Sequence, residues 1–193
     1  MFKKFLSILL IGVLIKIMDD YLDRDIDRII GRWNITLVLN RSILPYSLLL
    51  MLISTYLDYN ESVSFFISSY IIGMTNDTFE KLPTRLYAWQ ESIITLLIAI
   101  YISGLKIMVS CFLLILLIQI IDDLLDYNKE KYIINNIRNK LGFINTLLII
   151  MIISLISLRF FPFRTIYFLT AALIIYLFFY FFEKLNSNGS HDY

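Results

Sequence analysis

The chain has 193 residues, of which 59% are apolar and 16% aromatic, with a mean hydropathy of +0.74; soluble domains hold roughly 45–50% apolar residues. Such an excess excludes an ordinary soluble domain and describes a membrane protein. The formal net charge of +1 gives no footprint for nucleic acid, and a single cysteine, Cys111, excludes a disulfide within the chain.

The chain opens with Met1-Phe2-Lys3-Lys4 and the apolar run Phe5–Ile15, the form of a signal peptide. No small-x-small cleavage site follows, and Lys16 comes next, so the segment reads as a membrane helix. A spanning helix needs about 20 mostly apolar residues. Seven segments near that length follow one another, at about 4–23, 42–58, 62–76, 87–104, 106–125, 142–160 and 163–183. Breaks are expected at Arg32–Arg41, Asp58–Glu61, Asn76–Arg85, Gly104–Lys106, Tyr127–Gly142 and Pro162. No alternating barrel pattern appears, and backbone groups in lipid must be bonded internally, which leaves helices. The expected fold is all-α: a polytopic membrane bundle of about seven transmembrane helices, forming one domain over residues 1–185 with a disordered tail at 186–193. Cys111, inside an apolar run, reads as a small buried hydrophobe.

Lysines and arginines give an orientation. If the first helix runs from outside to inside, the inner side receives eleven of them: Arg24, Arg28, Arg32, Arg41, Lys81, Arg85, Lys129, Lys131, Arg138, Lys140 and Lys184. The outer side receives five: Lys3, Lys4, Lys106, Arg159 and Arg164. This puts the N-terminus outside and the C-terminus in the cytoplasm.

An acidic cluster occurs twice, at the ends of the first and fifth segments. Ile17-Met18-Asp19-Asp20-Tyr21-Leu22-Asp23 and Asp27 superpose, after a shift of 103 positions, on Ile120-Ile121-Asp122-Asp123-Leu124-Leu125-Asp126 and Glu130. The two motif-bearing helices thus form an internal pseudo-repeat, and both ends face the cytoplasm. At about 100° per residue, Asp19, Asp20, Asp23 and Asp27 share one helix face, as do Asp122, Asp123, Asp126 and Glu130. Like charges so close disfavour ionisation unless cations intervene. Mg²⁺ takes oxygen ligands and usually binds one or two carboxylates together with substrate phosphates, so two facing stripes would hold a diphosphate between them. Acids that merely end a helix are the plainer alternative, but they oppose the macrodipole at a C-terminus. A proton or cation pathway needs no such paired repeat.

In these motifs the chain resembles the UbiA superfamily of intramembrane prenyltransferases, whose first motif is Asn-Asp-x-x-Asp-x-x-x-Asp and whose second is Asp-x-x-x-Asp. Asp19–Asp27 follows the first with Asp in the Asn place; Asp122-x-x-x-Asp126-x-x-x-Glu130 follows the second, extended by Glu. Asn40-Arg41-Ser42-Ile43-Leu44-Pro45 is similar to the family's Asn-Arg-Pro-Leu-Pro, and Lys140-Leu141-Gly142 to the Leu-Gly after its second motif. The resemblance covers about residues 5–183. Family members typically have nine helices, one of them before the first motif helix, whereas here the motif occupies the first segment. Closure of the cavity by a partner, in a homo- or hetero-oligomer, is therefore an expectation too.

The resemblance implies that Asp19, Asp20, Asp23, Asp27, Asp122, Asp123, Asp126 and Glu130 hold Mg²⁺ and a prenyl diphosphate, with Asp19, Asp23, Asp27, Asp122 and Asp126 catalytic. Arg28, Arg32, Arg41, Lys129 and Lys131 are candidate diphosphate contacts, or else inner-leaflet anchors. Tyr21, Trp89, Phe112 and Tyr127 lie near the depth at which a ring could face an allylic cation. Asn76-Asp77-Thr78-Phe79-Glu80-Lys81 and Glu91 read as a solvated loop and the helix start after it. The implied activity is transfer of a polyprenyl group to a lipophilic acceptor. A terpene cyclase on the same fold is the nearest alternative, since both clusters have the Asp-Asp-x-x-Asp form of class I terpene synthases. A non-catalytic or partner-dependent membrane subunit is the alternative of a different class. CDP-alcohol phosphotransferases are set aside, because their Asp-Gly-x-x-Ala-Arg signature is missing.

Overall fold

Each of the seven apolar segments forms a helix in the computed structural model, which describes residues 2–31, 33–74, 78–125 and 142–189. In chain order these helices are α1 (Phe2–Leu22), α2 (Arg24–Ile30), α3 (Ile35–Leu39), α4 (Ile43–Leu57), α5 (Tyr59–Met74), α6 (Ala88–Ser103), α7 (Leu105–Leu125), α8 (Phe143–Phe160) and α9 (Pro162–Gly189). A 3₁₀ turn, Asn40–Ser42, joins α3 to α4. The described residues hold no strand, only an isolated bridge between Lys81 and Tyr87.

By length and composition, four stretches are long and apolar enough to cross a membrane: Ile35–Leu57, Leu105–Leu124, Phe143–Phe160 and Pro162–Leu185. The break expected at Arg32–Arg41 is present at Trp33 and Asn34 but is narrower than expected, since the first stretch already starts at Ile35. The Asn34 side chain caps α3 by accepting the Thr36 backbone N–H, and the helical path then continues through Arg41, whose side chain faces outward. Helix α6 is apolar but shorter. Helix α1 carries Lys16, Asp19 and Asp20 in its second half.

The remaining breaks have local causes. Asp58 ends α4, and its carboxylate accepts the Glu61 N–H to start α5. Gly104 alone separates α6 from α7, at φ 83, ψ 149, a conformation essentially confined to glycine that costs other residues about 1–3 kcal/mol. Pro162 stands in the first turn of α9, where its missing N–H has no helical partner to lose.

The chain divides into two compact units, Met1–Ser62 with Tyr167–Tyr193, and Val63–Ile166. In the first, α1 packs against both α4 and α9. Ser7 meets Ser54 while Ile17 packs with Ile43 and Leu50, so α1 and α4 run antiparallel. The Phe5 ring meets Tyr167 at 6.3 Å and Ile17 clusters with Phe179, so α1 and α9 run parallel. Gly12 permits this approach: a Cβ there would stand 2.7 Å from Ile175 Cδ1. At the N-terminal end of α1 the Ser7, Ser54 and Ser62 hydroxyls form a buried network, with Ser7 to Ser62 at 2.8 Å and Ser54 to Ser62 at 2.6 Å. Lys4 sits 3.6 Å from the buried carboxylate of Glu61 and 3.9 Å from Asp58. Interhelical hydrogen bonds of this kind hold helices together where lipid provides no hydrophobic contrast.

In the second unit α7 packs against both α6 and α8. Its inner face, Met108, Cys111, Leu114, Leu117 and Ile120, recurs every three residues and is buried. Met108 joins Ile71 of α5 and Ala99 of α6 in one cluster, with Phe112 against it. Outward faces such as Leu44, Leu48 and Leu52 of α4, or Ile144, Leu148 and Leu155 of α8, are apolar and exposed, as lipid contact requires.

Candidate functional site

The buried stripe of α1, Ile8, Ile11, Leu14 and Ile17, continues by one more step of three residues to Asp20. Its carboxylate is consequently only 14% exposed, whereas that of Asp19, one position off the stripe, is 52% exposed. Lys16, one turn back, places Nζ 3.1 Å from Asp19 Oδ2 and 3.2 Å from Asp20 Oδ1. The ammonium thus bridges the paired carboxylates.

Helix α1 stops at Leu22 and α2 begins at Arg24, with Asp23 between them at φ −87, ψ −1. The carboxylate stripe is therefore carried by two helices. The register survives, because the Asp23 N–H donates to Asp19 O at 3.2 Å and the Asp27 N–H to Asp23 O at 2.9 Å. Two turns separate Asp20 from Asp27, so both face inward. Asp19, Asp23 and Asp25 face outward.

Asn34 ties this arrangement together. Its side-chain amide donates to the Asp20 carbonyl at 2.6 Å and to Asp27 Oδ2 at 2.7 Å, while its Oδ1 accepts from the Thr36 backbone N–H at 2.8 Å and from the Thr36 hydroxyl. Carbonyls in the last turn of a helix have no helical partner, so this one residue closes α1, caps α3 and holds the buried carboxylate of Asp27. Asn34 is 1% exposed. Gly31, at φ 74, ends α2 and donates its N–H to Asp27 O. Arg24 Nη2 donates to Asn40 Oδ1 at 3.2 Å, linking α2 to the 3₁₀ turn of the Asn40–Pro45 segment. Arg28 and Arg41 are exposed.

The second cluster begins in the last turn of α7, where Asp122 and Asp123 are half-buried. Asp126, Lys129, Glu130 and Lys131, with Arg32 and Tyr127, lie outside the described residues. The two clusters belong to different units. Tyr21 and Trp89 are exposed.

Glu91, expected to begin a helix beside a solvated loop, is part of a built clip. Its carboxylate accepts the Tyr70 hydroxyl from α5 through Oε1 and the Thr84 hydroxyl at 2.6 Å through Oε2. The loop between α5 and α6 is folded over 78–87: Leu82 N–H donates to Leu86 O, Ala88 N–H to Glu80 O and Trp89 N–H to Thr78 O.

Compared with known protein families, with curated proteins and with solved structures, this chain matches none. The carboxylate oxygens of the first cluster are of the kind a hard divalent cation takes, but the Asn34 amide oxygen is turned to Thr36 and the Lys16 ammonium stands on Asp19 and Asp20. Among the described residues no three His, Cys, Asp or Glu side chains form a group able to hold a metal.

Three features were not read from the sequence: the Asn34 knot, the Lys16 bridge and the Tyr70–Glu91–Thr84 clip. Asn34-Ile35-Thr36 before an apolar run is a legible cap signal, and Lys16 stands at helical spacing from Asp19 and Asp20. Tyr70 and Glu91 are 21 positions apart, so no local pattern relates them.

Proposed function

We propose that this chain is a Mg²⁺-dependent intramembrane prenyltransferase of the UbiA type, moving a polyprenyl group from a prenyl diphosphate to a lipophilic acceptor. The observation that carries this reading is the repeated acidic cluster at the ends of two apolar helices, one copy of which is held in place by Asn34. In this reading seven helices cross the bilayer and both clusters face the cytoplasm. The carboxylates assigned to Mg²⁺ and the diphosphate in this reading are Asp19, Asp20, Asp23 and Asp27 of the first cluster and Asp122, Asp123, Asp126 and Glu130 of the second. Arg28, Arg32, Arg41, Lys129 and Lys131 reach diphosphate oxygens from the same side. Mg²⁺ held by these carboxylates would supply positive charge to the leaving diphosphate, which favours ionisation of the allylic carbon–oxygen bond. Asn34 keeps Asp27 oriented, and the apolar helix faces keep water from the prenyl chain.

The test is Mg²⁺-dependent release of diphosphate from geranyl, farnesyl and geranylgeranyl diphosphate by the purified protein in lipid. Asp23→Ala and Asp126→Ala are expected to lower release at least a hundredfold, by analogy with the loss of one group that stabilises transition-state charge. No release from any of the three substrates by folded protein would overturn the reading. The Asp-Asp-x-x-Asp form of both clusters favours a second reading, a membrane terpene cyclase. Cyclised product formed without any acceptor would select it.

A further inference from the structure

The described acids of the unit Val63–Ile166 stand at one end of its helices, Glu80 and Glu91 around the start of α6 and Asp122 and Asp123 in the last turn of α7. At the other end, where α6 turns into α7 and α8 into α9, stand Lys106, Arg159 and Arg164, with no described acid of the unit beside them. Arg164 is half-buried, and its Nη1 donates to the Oγ of Ser110, a buried residue of α7 whose own hydroxyl donates to Ile107 O at 2.7 Å. An arginine near a membrane interface ordinarily extends to water; this one is anchored inward, between helices. Lys106 lies one turn before Ser110 on the same face of α7, one turn outward of the anchor. Ser157 belongs to the buried face of α8, four residues before Phe161, as Arg164 is three residues after it, and so stands at a similar depth. It is 1% exposed, and its hydroxyl has no hydrogen-bond partner. A buried hydroxyl without a partner is costly, and an oxygen-rich ligand would remove that cost.

We propose that this end of the unit binds the phosphate group of a membrane lipid. Arg164, held by Ser110, presents its fork to two phosphate oxygens. Lys106 adds a second charge from the outer turn, and Ser157 donates its hydroxyl. The first turns of α7 and α9 turn their positive dipole ends the same way. Phe160 and Phe163, each 67% exposed on either side of the corner, offer apolar surface to the acyl chains. Basic groups at the ends of membrane helices attract anionic head groups in this manner. The site does not depend on prenyl transfer, since it lies at the opposite end of α7 from Asp122 and Asp123.

The test is native mass spectrometry of the purified protein titrated with phosphatidylglycerol or with phosphatidylcholine, which resolves single bound lipids. The first phosphatidylglycerol is expected to bind more tightly than phosphatidylcholine, whose choline cancels the phosphate charge. Its affinity should fall about fivefold in Lys106→Gln and at least as far in Arg164→Gln. Ser157→Ala should weaken binding while leaving the lipid-free thermal midpoint no lower than wild type, because its hydroxyl has no partner to lose. Arg159→Gln removes the same charge from the exposed side of α8 and should bind like wild type. If Arg164→Gln does not fold, Lys106→Gln and Ser157→Ala carry the test. Equal binding of the two lipids, or a loss in Arg159→Gln as large as in the other variants, overturns the site. Displacement of phosphatidylglycerol by millimolar inorganic phosphate marks a site for free anions and overturns the lipid assignment.

Discussion

Asn34 shows how a single buried amide organises a charged site. Its four hydrogen bonds connect the end of α1, the start of α3 and the carboxylate of Asp27. Losing a cap costs about 1 kcal/mol, and leaving a buried acceptor unpartnered costs about as much again or more. Asn34→Ala is therefore expected to destabilise the protein by about 2 kcal/mol, read as a lowered thermal midpoint. Any diphosphate release should fall further than the midpoint alone explains, because Asp27 loses its orientation. A variant as stable as wild type would mean that the knot holds nothing. At this scale the carboxylates were legible in the sequence, since repetition and helical spacing are local patterns. The partner that orients them was not, because its contacts span 7 and 14 positions and close only when α1, α2 and α3 fold against one another.

Helices were the most legible elements, since each needs only an apolar run between identifiable stops. Gly104, Asp58 and Pro162 mark real ends. The break expected at Arg32–Arg41 proves shorter than its charges suggest, because the five residues Ile35–Leu39 form a helix inside it and a 3₁₀ turn with an exposed Arg41 leads into α4. The loop between α5 and α6 is largely exposed over 78–87, as its composition suggests, but it is also fastened. Polar and charged, it reads as solvated, yet Tyr70 and Thr84 fasten it to Glu91. Tyr70→Phe and Glu91→Gln are expected to loosen the clip, so trypsin should cut at Lys81 and Arg85 several-fold faster than in wild type under native conditions. Equal rates would show that the backbone bonds of 78–87 hold the loop without the clip.

For the whole molecule, the proposed orientation rests on the eleven-to-five distribution of basic residues and on the seven crossings assumed in that proposal. In a Cys111→Ala background, a single cysteine placed at Lys3 should react with an impermeant thiol reagent from outside intact cells. One placed at Arg28 or Lys184 should react only after the membrane is opened. Labelling of residues 3 and 28 from the same side would show that α1 does not cross. Composition and periodicity by themselves determined that the protein is helical, that it has apolar helices of membrane-spanning length and that its carboxylates recur in register. These are properties of single segments, set by the cost of unbonded backbone in lipid and by 3.6 residues per turn. Only tertiary structure decided that α1 lies antiparallel to α4 and parallel to α9, that Asp20 and Asp27 turn inward while Asp19 and Asp23 turn outward, and that Lys16 and Asn34 hold them. Those outcomes depend on which faces meet, and that is settled by packing and by the pairing of buried polar groups between segments distant in the chain.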